Sequence, residues 1–428
     1  MKIIILSLMF TTSVFAINFD KQLNAINKEI VNIKTDELVD ILNKNPNAIL
    51  IDVRTEQEID FVGTIAKGQN INIVRGWLEF RVDNFAKNAE IITYCGTNLR
   101  SPLAAKTLIN MGFTNVKNYS DGFFEWQKRG LPTKTADNYN ESFLYNEITK
   151  VADGVYSAIG ATQPSTYKNS GHNNNLSFII GEKSVLVFNA GGSYLLAKSL
   201  HNEIKKITNK PIKFVVIENA QGHAFLGLSY WKNQGVEIIA HKLADDEIKK
   251  HGADILERAT QRLGDKARWS SVVRPDITFE HELELDLGNL KIKLTHLGAS
   301  HSPDDIQLWI PSKKLLISGD TAFNERLLPV FEHTNIGEWI KTWDKIEALA
   351  PQIIIPGHGK PTDLKTITKF TKGYLQFMQT QIIKILDDDG SLNDAYKIDQ
   401  SQFRDFGTYR ELHLRNAARI FQQLEFEY

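Results

Sequence analysis

A mostly apolar run, Glu90 to Tyr94, delivers this chain into its only cysteine, and the residues just beyond that cysteine leave few folds open. Cys95-Gly96-Thr97-Asn98-Leu99-Arg100-Ser101 forms a tight loop, and Pro102 to Met111 reads as a helix. Ser101 suits the N-cap, Pro102 the first helical position and Gly112 the C-terminal cap. Upstream, Ala48 to Ile51 is a second buried-strand run, ending at Asp52-Val53-Arg54. Strand, tight loop and helix make an α/β unit with its site at the C-terminal edge of the strand.

That layout dictates the chemistry. A loop that opens a helix turns successive backbone N–H groups inward, at the positive end of the helix dipole. Cys95 at its base faces those donors and the Arg100 guanidinium. Both favour the thiolate, which is the nucleophile. A sulfur atom transferred onto it becomes a persulfide anion, which the backbone groups at Gly96, Thr97, Asn98, Leu99 and Ser101 can cradle. One cysteine excludes an internal disulfide. A lone thiol is a liability in an oxidising compartment, so its presence asks for a reason.

The N-terminus points to such a compartment. Lys2, the apolar run Ile3 to Phe10 and the small residues up to Ala16 read as a secretory signal spanning residues 1–16. The run is too short to cross a bilayer, and no later stretch is long enough. The expectation is a periplasmic or secreted protein without a membrane span. The chain has 428 residues, comfortable for two domains. A formal net charge of −1 gives no sign of a nucleic-acid partner. The expected partners are small molecules, a sulfur donor and a thiol acceptor; oligomeric state is open.

Residues 36–135 resemble the rhodanese family. Asp52-Val53-Arg54 is similar to its early Asp-x-Arg, and Cys95 to Arg100 to its active-site loop. Asp121-Gly122-Phe123-Phe124-Glu125-Trp126, with Gly130-Leu131-Pro132, is similar to its closing signature. The resemblance implies a parallel-sheet domain, persulfide chemistry on Cys95, and Asp52 and Arg54 as supports of the loop. Asn98 stands where relatives carry Gly; Asn tolerates positive φ better than other residues with a side chain. Four residues separate Cys95 from Arg100, one fewer than in the related phosphatases, which favours a single sulfur atom over a tetrahedral oxyanion.

A polar stretch at 133–150 reads as a linker. Beyond it, hairpins turn at Gly181-Glu182-Lys183, Gly288-Asn289 and Pro311-Ser312, with a helix from Tyr194 to Ile207. Residues 150–360 resemble the metallo-β-lactamase superfamily, an αβ/βα sandwich of two sheets. Residues 361–428 read as a helical extension of that domain. The superfamily builds its metal site from a His-x-His-x-Asp-His run and later His, Asp and His residues. Here the run reads Asn219-Ala220-Gln221-Gly222-His223-Ala224, while His301, Asp320 and His358 are in place. Amide oxygens bind zinc poorly beside imidazole, so the first metal position, 219 and 221 with His301, is expected to be lost. His223, Asp320 and His358 suffice for one zinc or iron ion if His223 can reach.

Three readings stand side by side. The first is an exported sulfurtransferase working through Cys95, with a second domain whose metal site is partly lost. The second is a one-metal hydrolase or persulfide-oxidising enzyme, and the third a non-catalytic protein that carries sulfur or a ligand. The remaining histidines, including His172, His241 and His296, read as structural or solvent-facing, Trp77, Trp126, Trp231 and Trp339 as core, and Asp245 to Lys250 as a solvated helix face.

Overall fold

The computed structural model describes residues 19–135 and 142–427, so the expected signal segment 1–16 lies outside the described residues. The chain divides into two compact units, Met1–Asn138 and Tyr139–Tyr428.

The first unit is built on a five-stranded parallel sheet. Its order is Val31–Ile33, Val116–Tyr119, Ile91–Tyr94, Ile49–Asp52, Gln69–Asn72. Its central strands are apolar on both faces, as a covered parallel sheet requires. Ile51 and Ile91 face one core with Leu108, and Leu50 and Ile92 face the other with Leu38 and Trp126. The strand Ile91–Tyr94 is central, so Cys95 emerges at the middle of the sheet's C-terminal edge.

Several expectations change here. The helix after the loop runs Ser101–Asn110, so Ser101 is its first residue and not its N-cap. Its hydroxyl turns instead toward Cys95, with Oγ 3.5 Å from Sγ. The domain also begins before residue 36: the helix Phe19–Glu29 and the strand Val31–Ile33 belong to it. That strand buries only Ile33, which is why it carries no apolar pattern. The linker reading of 133–150 fails at both ends. Thr133–Lys134 pairs with Thr64–Ile65 in the first unit, and Ile148–Ala152 is a strand of the second. Trp77 is not core: it is 56% exposed, edge-on to Phe80, with the Arg81 guanidinium over its ring.

The second unit is a sandwich. One sheet has seven strands, ordered Ile277–Phe279, Glu237–His241, Ile212–Val216, Val185–Phe188, Leu176–Ile180, Val155–Ala158, Ile148–Ala152. The other has five, ordered Glu282–Asp286, Lys291–Thr295, Gln307–Ile310, Leu315–Phe323, Ile353–His358. Phe188, Val216 and Ile239 from the first interdigitate with Leu294, Leu308 and Ile355 from the second. Helices cover both outer faces. Tyr194–Ile207 packs on the larger sheet, and Ile336–Leu349 on the smaller through Trp343 and Ile346. The C-terminal helices Lys372–Asp387 and Tyr409–Glu427 form a further core with Phe323 and Trp339. Among the described residues, no helix is long and apolar enough to cross a membrane.

Candidate functional sites

In the first unit, Cys95 is 1% exposed at the floor of its loop. Burial pushes the thiol up. The Ser101 hydroxyl and the backbone N–H groups of Arg100, Ser101 and Thr97 outweigh burial, so Cys95 titrates below an ordinary thiol. The sequence pattern assigns part of this effect to the Arg100 guanidinium. In the structure that group also pairs with Glu58, Nη1 and Nη2 donating to Oε2 and Oε1 at 2.7 and 2.5 Å, while its charge still couples to Cys95. Arg100 in turn holds the Glu58 carboxyl down at about 2.

Glu58 is not among the residues expected from the sequence, yet a signal is there. Thr55-Glu56-Gln57-Glu58 has capping-box spacing, and Thr55 Oγ1 and Glu58 do cap the helix Glu56–Val62. One carboxylate thus starts a helix and anchors the loop.

The Asp121–Trp126 segment explains the loop's shape. Phe123 N–H donates to the Cys95 carbonyl at 2.8 Å, and Phe124 N–H to the Gly96 carbonyl at 3.3 Å. Gly122 sits at φ +75°, and a Cβ there would lie 2.5 Å from the Gly96 oxygen. Asp121 accepts from Lys34 Nζ and from the Thr35 N–H and hydroxyl, fixing the turn from outside. Asn98 adopts φ +64°, as its side chain allows, and its Oδ1 accepts from Asn118 Nδ2 at 2.8 Å. Leu99 and Phe124 are exposed near the loop. Asp52 and Arg54 form a fully buried pair at 2.6 Å. Arg54 also donates to the Gly63 carbonyl and lies 4.1 Å from the Phe123 ring centroid. Through Arg54 the pair ties the end of the strand Ile49–Asp52 to Gly63 and to the Phe123 ring.

In the second unit, the strands Leu315–Phe323 and Ile353–His358 bring Asp320 and His358 side by side, with His358 Nε2 3.1 Å from Asp320 Oδ1. His223 reaches them from the short helix Gly222–Phe225: its Nε2 is 3.4 Å from Asp320 Oδ2. One ligand atom from each of the three lies within 4.8 Å of the others. Phe323 stacks on His358, and Phe331 and Trp339 flank His301.

The carboxamides face elsewhere. Asn219 Nδ2 donates to Asp305 at 2.9 Å, and its Oδ1 accepts from the Gln221 N–H at 2.9 Å. Gln221 Nε2 lies 2.8 Å from His301 Nδ1. His301 is thus joined to Gln221, 3.8 Å from Asp320 and outside the triad.

Three residues of this centre lie outside the expected set. Glu218, fully buried, accepts from the Asp320 N–H at 2.9 Å and places Oε1 3.1 Å from His223 Nε2. Burial opposes a charge on His223, but Asp320 and Glu218 raise it to about 10. Burial and Asp320 together raise Glu218 to about 7. Asp305 gathers Asn219, the Ser300 hydroxyl, and the Ser302 N–H and hydroxyl. Arg326 places Nη1 3.0 Å from His358 Nδ1. Of the three, only Glu218 adjoins a sequence motif, standing immediately before the 219–224 run.

The triad opens into a cavity of about 1110 Å³. One wall is the helix Lys242–Leu263, and Asp246, Glu247 and Lys250, expected from sequence on a solvated face, line it. Glu411, Leu412 and Arg415 of the C-terminal helix form another part of the wall. His241 and His172 are structural. His241 Nδ1 caps that long helix through the Leu243 N–H, and His172 Nδ1 accepts from the Tyr145 N–H.

Comparison with known proteins agrees with both units. Residues 34–129 match the rhodanese-like domain, and residues 222–358 the metallo-beta-lactamase superfamily. A linear primary-alkylsulfatase of Pseudomonas sp. (strain ATCC 19151) is 23% identical over 241 residues, 47% of this chain and 45% of the relative. A metallo-beta-lactamase type 2 of Bacteroides fragilis is 24% identical over 142 residues, 32% of this chain and 49% of the relative. The chain therefore spans about half the length of these two curated relatives. Among solved structures, a metallo-beta-lactamase from Pontibacter korlensis aligns with TM-score 0.45 at 16% identity, over 54% of this chain and 98% of that one. The chain joins a rhodanese-like domain to a metallo-β-lactamase-superfamily domain, in that order.

Proposed function

We propose that this protein is a sulfurtransferase that works outside the cytoplasm and carries sulfur as a persulfide on Cys95. The observation that carries the reading is the convergence of the Ser101 hydroxyl and three backbone N–H groups on one buried, lowered-pKa sulfur. With thiosulfate as donor, the Cys95 thiolate attacks the outer sulfur. The S–S bond breaks, sulfite leaves with the bonding pair, and Cys95–S–S⁻ forms. A thiol acceptor, or cyanide in an assay, attacks the outer sulfur, takes it away and restores the Cys95 thiolate. The N–H cradle holds the negative charge at each stage. The test is thiocyanate formation from thiosulfate and cyanide: turnover is expected with the wild type and absent with Cys95→Ser. Equal turnover in both would overturn the reading.

We further infer that the second domain holds one metal ion and not two. His358 Nδ1 abuts the Asn173 carbonyl, which can only accept. Arg326 Nη1 meets the same nitrogen at 3.0 Å, and His358 Nε2 lies 3.1 Å from Asp320 Oδ1. Both Asp320 oxygens are buried, with Oδ2 3.4 Å from His223 Nε2. Three such groups within 4.8 Å of one another suit a shared cation, which would take the place of the proton that Asp320 and Glu218 favour on His223. His223, Asp320 and His358 are the residues that would hold it. At the first position Asn219 and Gln221 are spent on Asp305 and His301, and the set does not fit. A bound zinc or iron would supply a Lewis acid and an acidified water, the basis of a hydrolytic or persulfide-oxidising alternative. Metal analysis of the purified protein tests this: one equivalent is expected, falling to none in Asp320→Asn.

A further inference from the structure

Asn98, at φ +64°, is the left-handed residue of the cysteine loop. It stands between Thr97 on one side and Arg100 and Ser101 on the other, whose backbone N–H groups reach the Cys95 sulfur. Its backbone angles therefore set the aim of the first donor relative to the other two. Asn tolerates the left-handed region without being confined to it. Asn118 is placed to confine it. It is fully buried on the strand Val116–Tyr119, which lies between the strands Val31–Ile33 and Ile91–Tyr94. Its Nδ2 donates to Asn98 Oδ1 at 2.8 Å and to Asn32 Oδ1 at 2.7 Å, which uses both amide protons. Asn32 Nδ2 in turn donates to the Asn27 carbonyl at 2.8 Å. A carbonyl only accepts, so Asn32 turns its oxygen to Asn118, and Asn118 must present its NH2 group. The direction of the chain is thus fixed from the helix Phe19–Glu29 to the loop. Residues 19–33 stand ahead of the rhodanese-like match at 34–129, and a glycine at position 98 has no oxygen for this chain to hold.

We propose that Asn118 is a positioning residue of the sulfur site: it locks Asn98 in the left-handed conformation and so keeps the N–H donors on both sides of Asn98 aimed at one sulfur. This rests on the reading of Cys95 as the sulfur carrier and names what pre-organises it. An untethered glycine visits left- and right-handed backbone about equally, so its flanking donors converge for part of the time only. The amide tether removes that freedom before the sulfur arrives. The helix Phe19–Glu29 and the strand Val31–Ile33 thereby act on a loop of which neither is part.

The test uses the full chain. Cys95 is its only thiol, so the ultraviolet absorbance of the thiolate followed against pH, with Cys95→Ser as the blank, reports this residue alone. Asn118→Ala is expected to raise the titration midpoint by about one unit, the worth of one displaced N–H donor. It is also expected to slow sulfite release from thiosulfate in a single turnover by about tenfold. In the Asn98→Gly background, Asn118→Ala is expected to change neither quantity, because position 98 then has no side-chain acceptor. A merely structural Asn118 acts alike in both backgrounds. An unchanged midpoint in Asn118→Ala, or the same rise in both backgrounds, would overturn the proposal. Should Asn118→Ala not fold, Asn98→Ala, at a half-buried loop position, decides the matter. The same rise is expected there, and its absence sinks the lock. The titration needs no sulfur donor, so failure of the lock and failure of sulfur transfer are read separately.

Discussion

Glu58 and Arg100 form a two-bonded ion pair, 2.5 and 2.7 Å, that ties the start of the helix Glu56–Val62 to the last residue of the cysteine loop. Both side chains are about one-third exposed, so the pair contributes little to global stability. Its effect is on loop position. Glu58→Gln is expected to lower sulfur transfer about tenfold while stability changes by less than about 1 kcal/mol. Thiosulfate–cyanide kinetics alongside urea unfolding check both halves. A variant with wild-type kinetics would remove the loop anchor from the account.

Gly122 is where the fold holds the loop most tightly. A methyl group there meets the Gly96 and Cys95 carbonyls and is forced into a left-handed conformation. Gly122→Ala is expected to destabilise the protein by about 2 kcal/mol or more. It is also expected to lose sulfur transfer at denaturant concentrations where it is still folded. Denaturant melts compared with activity at each concentration give the answer.

In the proposed one-ion reading, the metal count follows from where the carboxamides point. Asn219→His is expected to leave the content at one ion per chain, since a lone imidazole does not rebuild the first position. It also removes an amide donor to the buried Asp305, at about 1–2 kcal/mol. Two ions in that variant would show the first position to be intact after all.

Acid sensitivity has an identifiable source in His172. It is fully buried, and burial lowers its pKa from 6.5 to about 4. As pH falls, the unfolded chain takes the proton first. The stability is whole above about 6.5, drains away toward pH 4 and is gone below it, a span worth about 3 kcal/mol. His172→Gln keeps a side-chain acceptor for the Tyr145 N–H but cannot titrate. Its stability is expected to fall less than the wild type's between pH 7 and 4.5, measured by urea unfolding. His301 and His358, also held low, keep part of the slope in both proteins.

The first site is largely legible in the sequence because it is local. Strand, cysteine and helix succeed one another within twenty-odd residues, and the geometry of a loop opening a helix needs no distant information. The departures there have tertiary causes. Ser101 looks like a cap, but its hydroxyl serves the sulfur, and Arg100, whose charge couples to Cys95, also pairs with a glutamate 42 positions earlier. The second site is legible as a grouping: His223, Asp320 and His358 come together, and His301 lies apart with position 221, as the motif order implies. The direct Gln221–His301 contact is what nothing in the spacing signals. Arg326, just past the strand Leu315–Phe323, and Arg415, on the helix Tyr409–Glu427, meet in the lining of one cavity, a tertiary fact with no local pattern. Strand Val31–Ile33 escapes notice because an edge strand with one buried side chain shows no alternation.

Cys95 is the only thiol in the chain, and it is closed off from bulk solvent. A sulfur atom parked there has no resolving cysteine within the molecule to expel it as an intramolecular disulfide. In the proposed function a loaded form would therefore have no second cysteine of this sequence to discharge it. It would hold its sulfur until another molecule reached into the loop, so the lifetime of the loaded state would belong to the acceptor and not to the carrier.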